Sequence, residues 1–213
     1  MPMPSLLTLT AITPQLLAAL ALFAFVSSIT PGPNNTMLMA SGANFGFRAS
    51  LPHLAGVALG FFIMVLAVGL GLGRVFTAWP RLHDILAVAG AAYMLWLAWK
   101  IANAKGVAGG EAGGRPHTFW QAAGFQWVNP KAWAMAVGAV TTYAPQAHYN
   151  ANILLVSLVF LSINAPCVMT WTGFGVGLRR FLGRPAILRA FNLGMALLLV
   201  TSLVPLVLDL ARR

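Results

Sequence analysis

With 213 residues, 59% of them hydrophobic and only 8% charged, the chain cannot cover a water-soluble globule with polar surface; soluble domains carry about 25% charged residues. A mean hydropathy of +0.81 makes lipid the solvent for most of it, and the length suits about six spans of ~20 residues. The net charge of +10 does not indicate nucleic acid, because the basic residues fall between apolar runs with no interleaved aromatic stripe.

The first apolar run, residues 15–43, is expected to be a retained span, since no positively charged segment precedes it. It is interrupted by Thr30-Pro31-Gly32-Pro33-Asn34-Asn35. The second run, residues 51–73, places Pro52 in its expected first turn, where a missing N–H costs little, and His53 beside it. The third, residues 85–101, ends in Tyr93, Trp96, Trp99 and Lys100, an aromatic belt with a snorkelling lysine.

Residues 103–117 form a Gly-rich linker that separates a first three-helix repeat, 1–102, from a second, 118–213. The fourth run, residues 119–143, contains Asn129-Pro130-Lys131, with Pro130 lying 99 positions after Pro31. The fifth, residues 152–177, holds a third polar break at Asn164-Ala165-Pro166, followed by Trp171, expected to serve packing. The sixth covers residues 191–210. Gly90 and Gly194 recur at an offset of 104. The pairs Gly56/Gly60 and Gly173/Gly177 suit close helix approach.

Three spans per repeat is an odd number, so the second repeat must enter from the opposite face. The expected fold is an all-α integral membrane protein: six transmembrane helices as two inverted repeats, the first and fourth helices broken at proline. Arg48, Lys100, Lys105, Arg115, Arg179, Arg180, Arg184 and Arg189 lie on one side, and Arg74, Arg81, Arg212 and Arg213 on the other. The positive-inside rule then puts the linker in the cytoplasm and both termini in the periplasm.

In hydrocarbon every backbone polar group needs an internal partner, so irregular backbone belongs where it is buried in protein or lines a wet cavity. A half-helix starting near Pro33 directs N–H groups and a positive dipole end at the break, where a carboxylate can bind. Carbonyls at the end of the preceding half-helix can accept from an ammonium, and Asn34 and Asn35 add donors and acceptors. Together these suit a zwitterion. Lys131 is costly in a span unless paired or wet; it would hold a substrate carboxylate or balance a carbonyl cluster, the alternative being a lysine that snorkels at an interface. Asn164 would line the cavity or join helices, and His53, which could titrate near neutral pH, is a proton-relay candidate.

No carboxylate pair, metal-ligand cluster, nucleophile–base pair or Walker loop occurs in the spans, so neither catalysis nor a cofactor or metal is expected. Cys167 is the single cysteine, which rules out an intrachain disulfide.

The string "SITPGPNNTMLMASGANFGFRAS", with "NPKA" in the second half, resembles the LysE/RhtB family of bacterial amino-acid exporters. "GAAYMLWLAWKIA" is similar to the third span of its cysteine/O-acetylserine branch. The resemblance implies efflux of amino acids or their derivatives across the bacterial inner membrane, driven by the proton gradient. It assigns Thr30, Pro31, Gly32, Pro33 and Asn34 to the first-half motif and Asn129, Pro130 and Lys131 to the second. Many members carry an acidic residue where this chain has Asn164, which shifts proton coupling toward His53 or Lys131. Expected partners are a small zwitterionic amino acid and membrane lipids, with a second copy of the chain left open and no nucleic acid. The rival readings are a membrane-embedded lipid-modifying enzyme and a channel or assembly subunit without carrier activity.

Overall fold

The computed structural model describes residues 11–72, 80–104, 115–204 and 207–208, and among them every regular element is a helix. Helix α1, Pro14–Ile29, opens with Thr13 Oγ1 accepting from Leu16 N at 3.2 Å and with proline in the first position. It stops at Thr30, because the residue before a proline is pushed into extended backbone and Pro31 has no N–H to give. Helix α2, Pro33–Phe45, restarts after Gly32, and the two axes are bent by 54°.

Gly46 turns the corner from α2 to α3, Phe47–Ala67, at φ +86°, a left-handed backbone that favours glycine. The early start at Phe47 corrects the expected position of Pro52, which lies inside α3 and not in its first turn. A π-helical turn, Val68–Leu72, extends α3. Helix α4 covers Pro80–Ala102, α5 Phe119–Gln126, α6 Pro130–Tyr143, α7 Tyr149–Leu178 and α8 Pro185–Thr201. A capping box opens α5: Thr118 Oγ1 accepts from Gln121 N, and Gln121 Oε1 accepts from Thr118 N. Residues 105–114 of the expected linker, and the chain ends that carry the topology expectation, lie outside the described residues.

The breaks expected at Pro31 and Pro130 therefore separate α1 from α2 and α5 from α6. The third expected break is absent. Helix α7 continues for 30 residues through Asn164-Ala165-Pro166. One proline removes one ladder bond, and the turns on either side hold the helix together; at the first break two prolines and a glycine fall in consecutive positions.

Among the described residues α3 with its π turn, 26 residues, and α7 with the turn after it, 33 residues, are long and apolar enough to cross a bilayer. The bent pair α1–α2 is a third such element. The burial pattern is that of a lipid-facing protein. Asn35, Asn44, His53, Gln126, Asn129, Asn152 and Asn192 are buried, while Leu22, Trp99, Trp120, Phe174 and Leu197 are exposed.

Helix α7 runs through the middle, packed against α1, α2 and α3, while α3 also packs on α5 and α4 on α8. Without a hydrophobic drive between helices in lipid, close approach depends on small residues. A Cβ at Gly56 would strike Phe119 O, and one at Gly60 would come within 2.6 Å of Ala123 Cα, so this pair joins α3 to α5 as expected. Gly173 and Gly177 face open space; the glycine of α7 that meets a neighbour is Gly175, against Met39 O of α2. Two positions along a helix turn the side chain by about 200°, which puts Gly175 on the opposite face. Gly90 likewise abuts Val128 O, whereas Gly194 has no neighbour, so the two glycines offset by 104 are not used alike.

Candidate functional site

Pro31, Gly32 and Pro33 strip the end of α1 of its helical donors, and each stranded carbonyl finds another. Ser28 O accepts from Asn35 Nδ2 at 2.8 Å, and Ile29 O from Trp171 Nε1 at 3.0 Å. Thr30 O accepts from Asn35 Nδ2 at 2.8 Å and from Lys131 Nζ at 2.9 Å. Pro31 O accepts from Lys131 Nζ at 3.3 Å, and Ser27 O, which loses the N–H of Pro31, accepts from Thr30 Oγ1 at 3.1 Å. The carbonyls expected to be open to a ligand ammonium are thus already paired, and the ammonium among them belongs to the protein.

Lys131 reaches that cluster from the N-terminus of α6. Asn129 caps this helix, its Oδ1 accepting from Lys131 N at 3.1 Å, and Pro130 fills the first helical position. Lys131 is half-buried and crosses to the other break instead of snorkelling outward. Gly32 makes room for it, since a Cβ there would lie 2.8 Å from Lys131 Cδ.

A second bridge mirrors the first. Asn34, at the start of α2, and Gln126, at the end of α5, exchange both amide bonds at 2.8 and 3.1 Å. Gln126 Nε2 also donates to Ala122 O at 2.9 Å. Each half-helix that follows a break therefore sends a side chain to the half-helix that precedes the other break. A side-chain cap is present on α6 but not on α2, whose N-cap is Gly32. The first-turn N–H groups of α2 consequently face the break without a side-chain acceptor.

Between the breaks lies a cavity of about 20 Å³, lined by Ser28, Asn34, Asn35, Asn129, Lys131 and Asn164 together with Phe61 and Met135. That is room for about one water and no larger solute. Ser28 is only 4% exposed and its Oγ has no hydrogen-bond partner among the described residues. Thr30 and Pro31 are exposed, so the carbonyl cluster sits at the cavity's accessible edge.

The structure brings together Thr30, Pro31, Gly32, Asn34, Asn35, Asn129, Lys131 and Asn164, with Pro33 and Pro130 setting the helix starts. His53 stands apart: it is fully buried on α3 and does not line this cavity. Its ring is 5.0 Å from that of His117, and neither nitrogen has a hydrogen-bond partner among the described residues. Burial, reinforced by the nearby Lys100 charge, lowers the His117 pKa to about 4.

Gln126, Ser28, Phe61 and Met135 escape a sequence reading. Gln126 alone leaves a signal, a polar residue four positions before Pro130 in an apolar run. Trp171, expected only to pack, also donates to the end of α1.

Residues 25–209 match the profile of the LysE type translocator family. The chain is 35% identical over 190 residues to the cysteine/O-acetylserine efflux proteins of Escherichia coli (strain K12) and Shigella sonnei (strain Ss046), covering 88% of this chain and 95% of each relative. The protein of that name from Salmonella typhimurium is 34% identical over the same shares. No solved structure matches the chain. Family and apolar helices together make this a multi-pass membrane protein. On a match spanning most of its length, the chain belongs to the LysE type translocator family.

Proposed function

We propose that this protein is a secondary transporter that exports amino acids or their derivatives across the bacterial inner membrane through the paired breaks. The observation that carries this reading is the crossed pairing of Lys131 with Thr30 and Asn34 with Gln126 around one small polar cavity. Six spans in two inverted repeats account for that crossing. They also account for α3 packing on α7 and α4 on α8, pairs that a two-fold exchange maps onto themselves. The linker is cytoplasmic and the termini periplasmic on the distribution of basic residues.

In the closed state Lys131 occupies the place of a substrate ammonium. An incoming amino acid offers its ammonium to the Thr30 and Pro31 carbonyls and its carboxylate to the uncapped N-terminus of α2. Lys131 is displaced, the two bridges loosen, and one repeat rocks against the other. Because Lys131 and the substrate compete for one carbonyl cluster, the protonation of Lys131 is the natural coupling point to the proton gradient. His53 remains the second candidate. Ser28, Met135 and Phe61 bound the space for the side chain, and the relatives' names make cysteine and O-acetylserine the first substrates to test.

Counterflow in proteoliposomes loaded with O-acetyl-L-serine tests the reading. A carrier accumulates labelled solute transiently against its gradient. Simple equilibration identifies a channel, and no flux identifies an assembly subunit; conversion of the liposome lipid identifies an enzyme. Any of these three results rejects the proposal.

A further inference from the structure

Helix α2 carries a second cavity further along its length. Ser41, in its wall, stands seven residues past Asn34, which is roughly 10 Å at 1.5 Å per residue. The volume is about 380 Å³, within the ~300–1,000 Å³ of small-molecule sites. The C-terminal half of α2, the last turns of α4 and residues 115–117 enclose it.

The wall is held by buried polar bonds. Asn44 Nδ2 donates to Ala40 O at 2.8 Å and to Asn192 Oδ1 at 3.0 Å, and Asn192 Nδ2 donates to Ala104 O at 2.9 Å. These bonds tie α2, α8 and the end of α4 together, so the cavity is a built feature and not a gap between loosely apposed helices. Lys100 and Arg115 both line the cavity, and among the described residues no acidic side chain does. Lys100 Nζ is poised over the Trp96 ring, 4.6 Å from its centroid. His117 also lines the cavity, and its buried Nδ1 has no hydrogen-bond partner among the described residues. Met37 and Leu97 supply an apolar wall.

We infer that this cavity binds a small amphiphilic carboxylate, with Lys100 and Arg115 on the carboxylate and Asn44 and His117 on the polar remainder. Its place along α2 makes it an entrance site, where a solute waits before reaching the breaks. That the solute is the exported amino acid rests on the transport reading above; that the cavity takes a carboxylate does not. An uncharged His117 ring can accept from the solute's ammonium while the two cations hold the other end. A lipid phosphate would satisfy the same cations, but neutral hydrogen-bonding groups in the wall favour a soluble, polar-bodied ligand.

Trp99 lines the cavity and serves as the reporter. The full chain in nanodiscs of pure phosphatidylcholine is titrated with O-acetyl-L-serine, and the Trp99→Phe variant assigns the fluorescence change. A saturable Trp99 signal is expected, with Kd raised roughly ten-fold or more in Lys100→Gln/Arg115→Gln, since losing charge-assisted bonds costs more than about 1.4 kcal/mol. Lys131→Gln, altered at the breaks, should keep the signal. Arg115→Gln alone, on an exposed segment, covers the case of a double variant that does not fold, and should also weaken binding. An unchanged Kd in the variants, or no saturable Trp99 signal in the wild type, overturns the inference. So does a signal produced by added phosphatidylglycerol that abolishes the response to the amino acid, which would make the occupant a lipid. Counterflow on the same protein keeps the two readings apart: binding without counterflow rejects export and keeps the site, and counterflow without a Trp99 signal does the reverse.

Discussion

Lys131 Nζ lies 2.9 Å from both the carbonyl and the hydroxyl oxygen of Thr30, a residue 101 positions earlier in the chain. Its counterpart joins Asn34 to Gln126 across 92 positions. A proline break strands carbonyls behind it and opens N–H groups ahead of it. Setting two breaks side by side lets each supply what the other lacks. The same groups are those a zwitterion needs, so the contacts that hold the site closed compete with substrate binding.

If Lys131 stands in for a substrate ammonium, removing it should damage transport without preventing insertion. Lys131→Ala removes the donor shared by the Thr30 and Pro31 carbonyls, but Thr30 O keeps Asn35 Nδ2 and both residues are exposed to water, so the cost in stability is small. Export of O-acetyl-L-serine from cells should fall at least ten-fold, with membrane-fraction levels close to wild type. Gly32→Ala should have a smaller effect in the same direction, because the added methyl meets only the flexible end of the Lys131 side chain, which can shift. Export at the wild-type rate by both variants contradicts the assignment.

Asn34 and Gln126 should behave as a coupled pair. Gln126→Leu leaves the Asn34 amide unpaired, and Asn34→Leu leaves Gln126 only its bond to Ala122 O; the double variant removes both needs at once. A cycle on thermal stability in detergent should give a coupling of about 0.5–3 kcal/mol. Strict additivity would mean that the pair makes no energetic contribution.

How far the sequence carries the argument depends on the range of the contact involved. The break at Thr30 to Asn34 is legible because proline acts on its own helix, whatever surrounds it. For the same reason the break at Pro130 and the helix starts at Pro33 and Pro130 are readable. Gln126 and Trp171 are not, since their roles depend on Asn34 and on Ile29, which the fold brings to them from 92 and 142 positions away. Pro166 misleads in the other direction: one proline in a long helix is tolerated when its neighbours keep their bonds. Helices α3 and α8 start earlier than the apolar runs suggest, because the chain turns at Gly46 and Pro185 opens α8, both ahead of the first apolar turn.

His117 should make stability depend on pH. Its pKa in the folded protein is lowered to about 4, below the ordinary 6.5. Between those values the unfolded chain binds a proton that the folded chain does not, so stability rises with pH across that window. The contribution is complete above pH about 6.5, falls as the pH drops, and stops changing below about 4. Midpoints of thermal unfolding from pH 7.5 to 4 should fall more steeply in wild type than in His117→Gln. Parallel curves would show that the ring titrates normally.

Glycines that share one sequence spacing differ in what they touch. Gly173 and Gly177 form the familiar four-residue spacing on α7, yet a Cβ on either meets nothing within 4 Å. Gly175, between them, faces α2, and a Cβ there would strike Met39 O and approach Ala43 N at 2.9 Å. From the α2 side, a Cβ at Gly42 would meet the backbone of Thr172 in the same interface. Backbone cannot move aside as a flexible side chain can, so Gly175→Ala must separate the helices and lose their close contact. Overpacking of this kind costs about 1–3 kcal/mol. Because α2 carries Asn34 at its start and the second cavity along its length, the separation should also lower export. Gly173→Ala and Gly177→Ala should match wild type in thermal midpoint and in transport, or gain slightly from alanine's higher helix propensity. Equal losses at all three positions would mean that α7 is rotated from the face assigned to it.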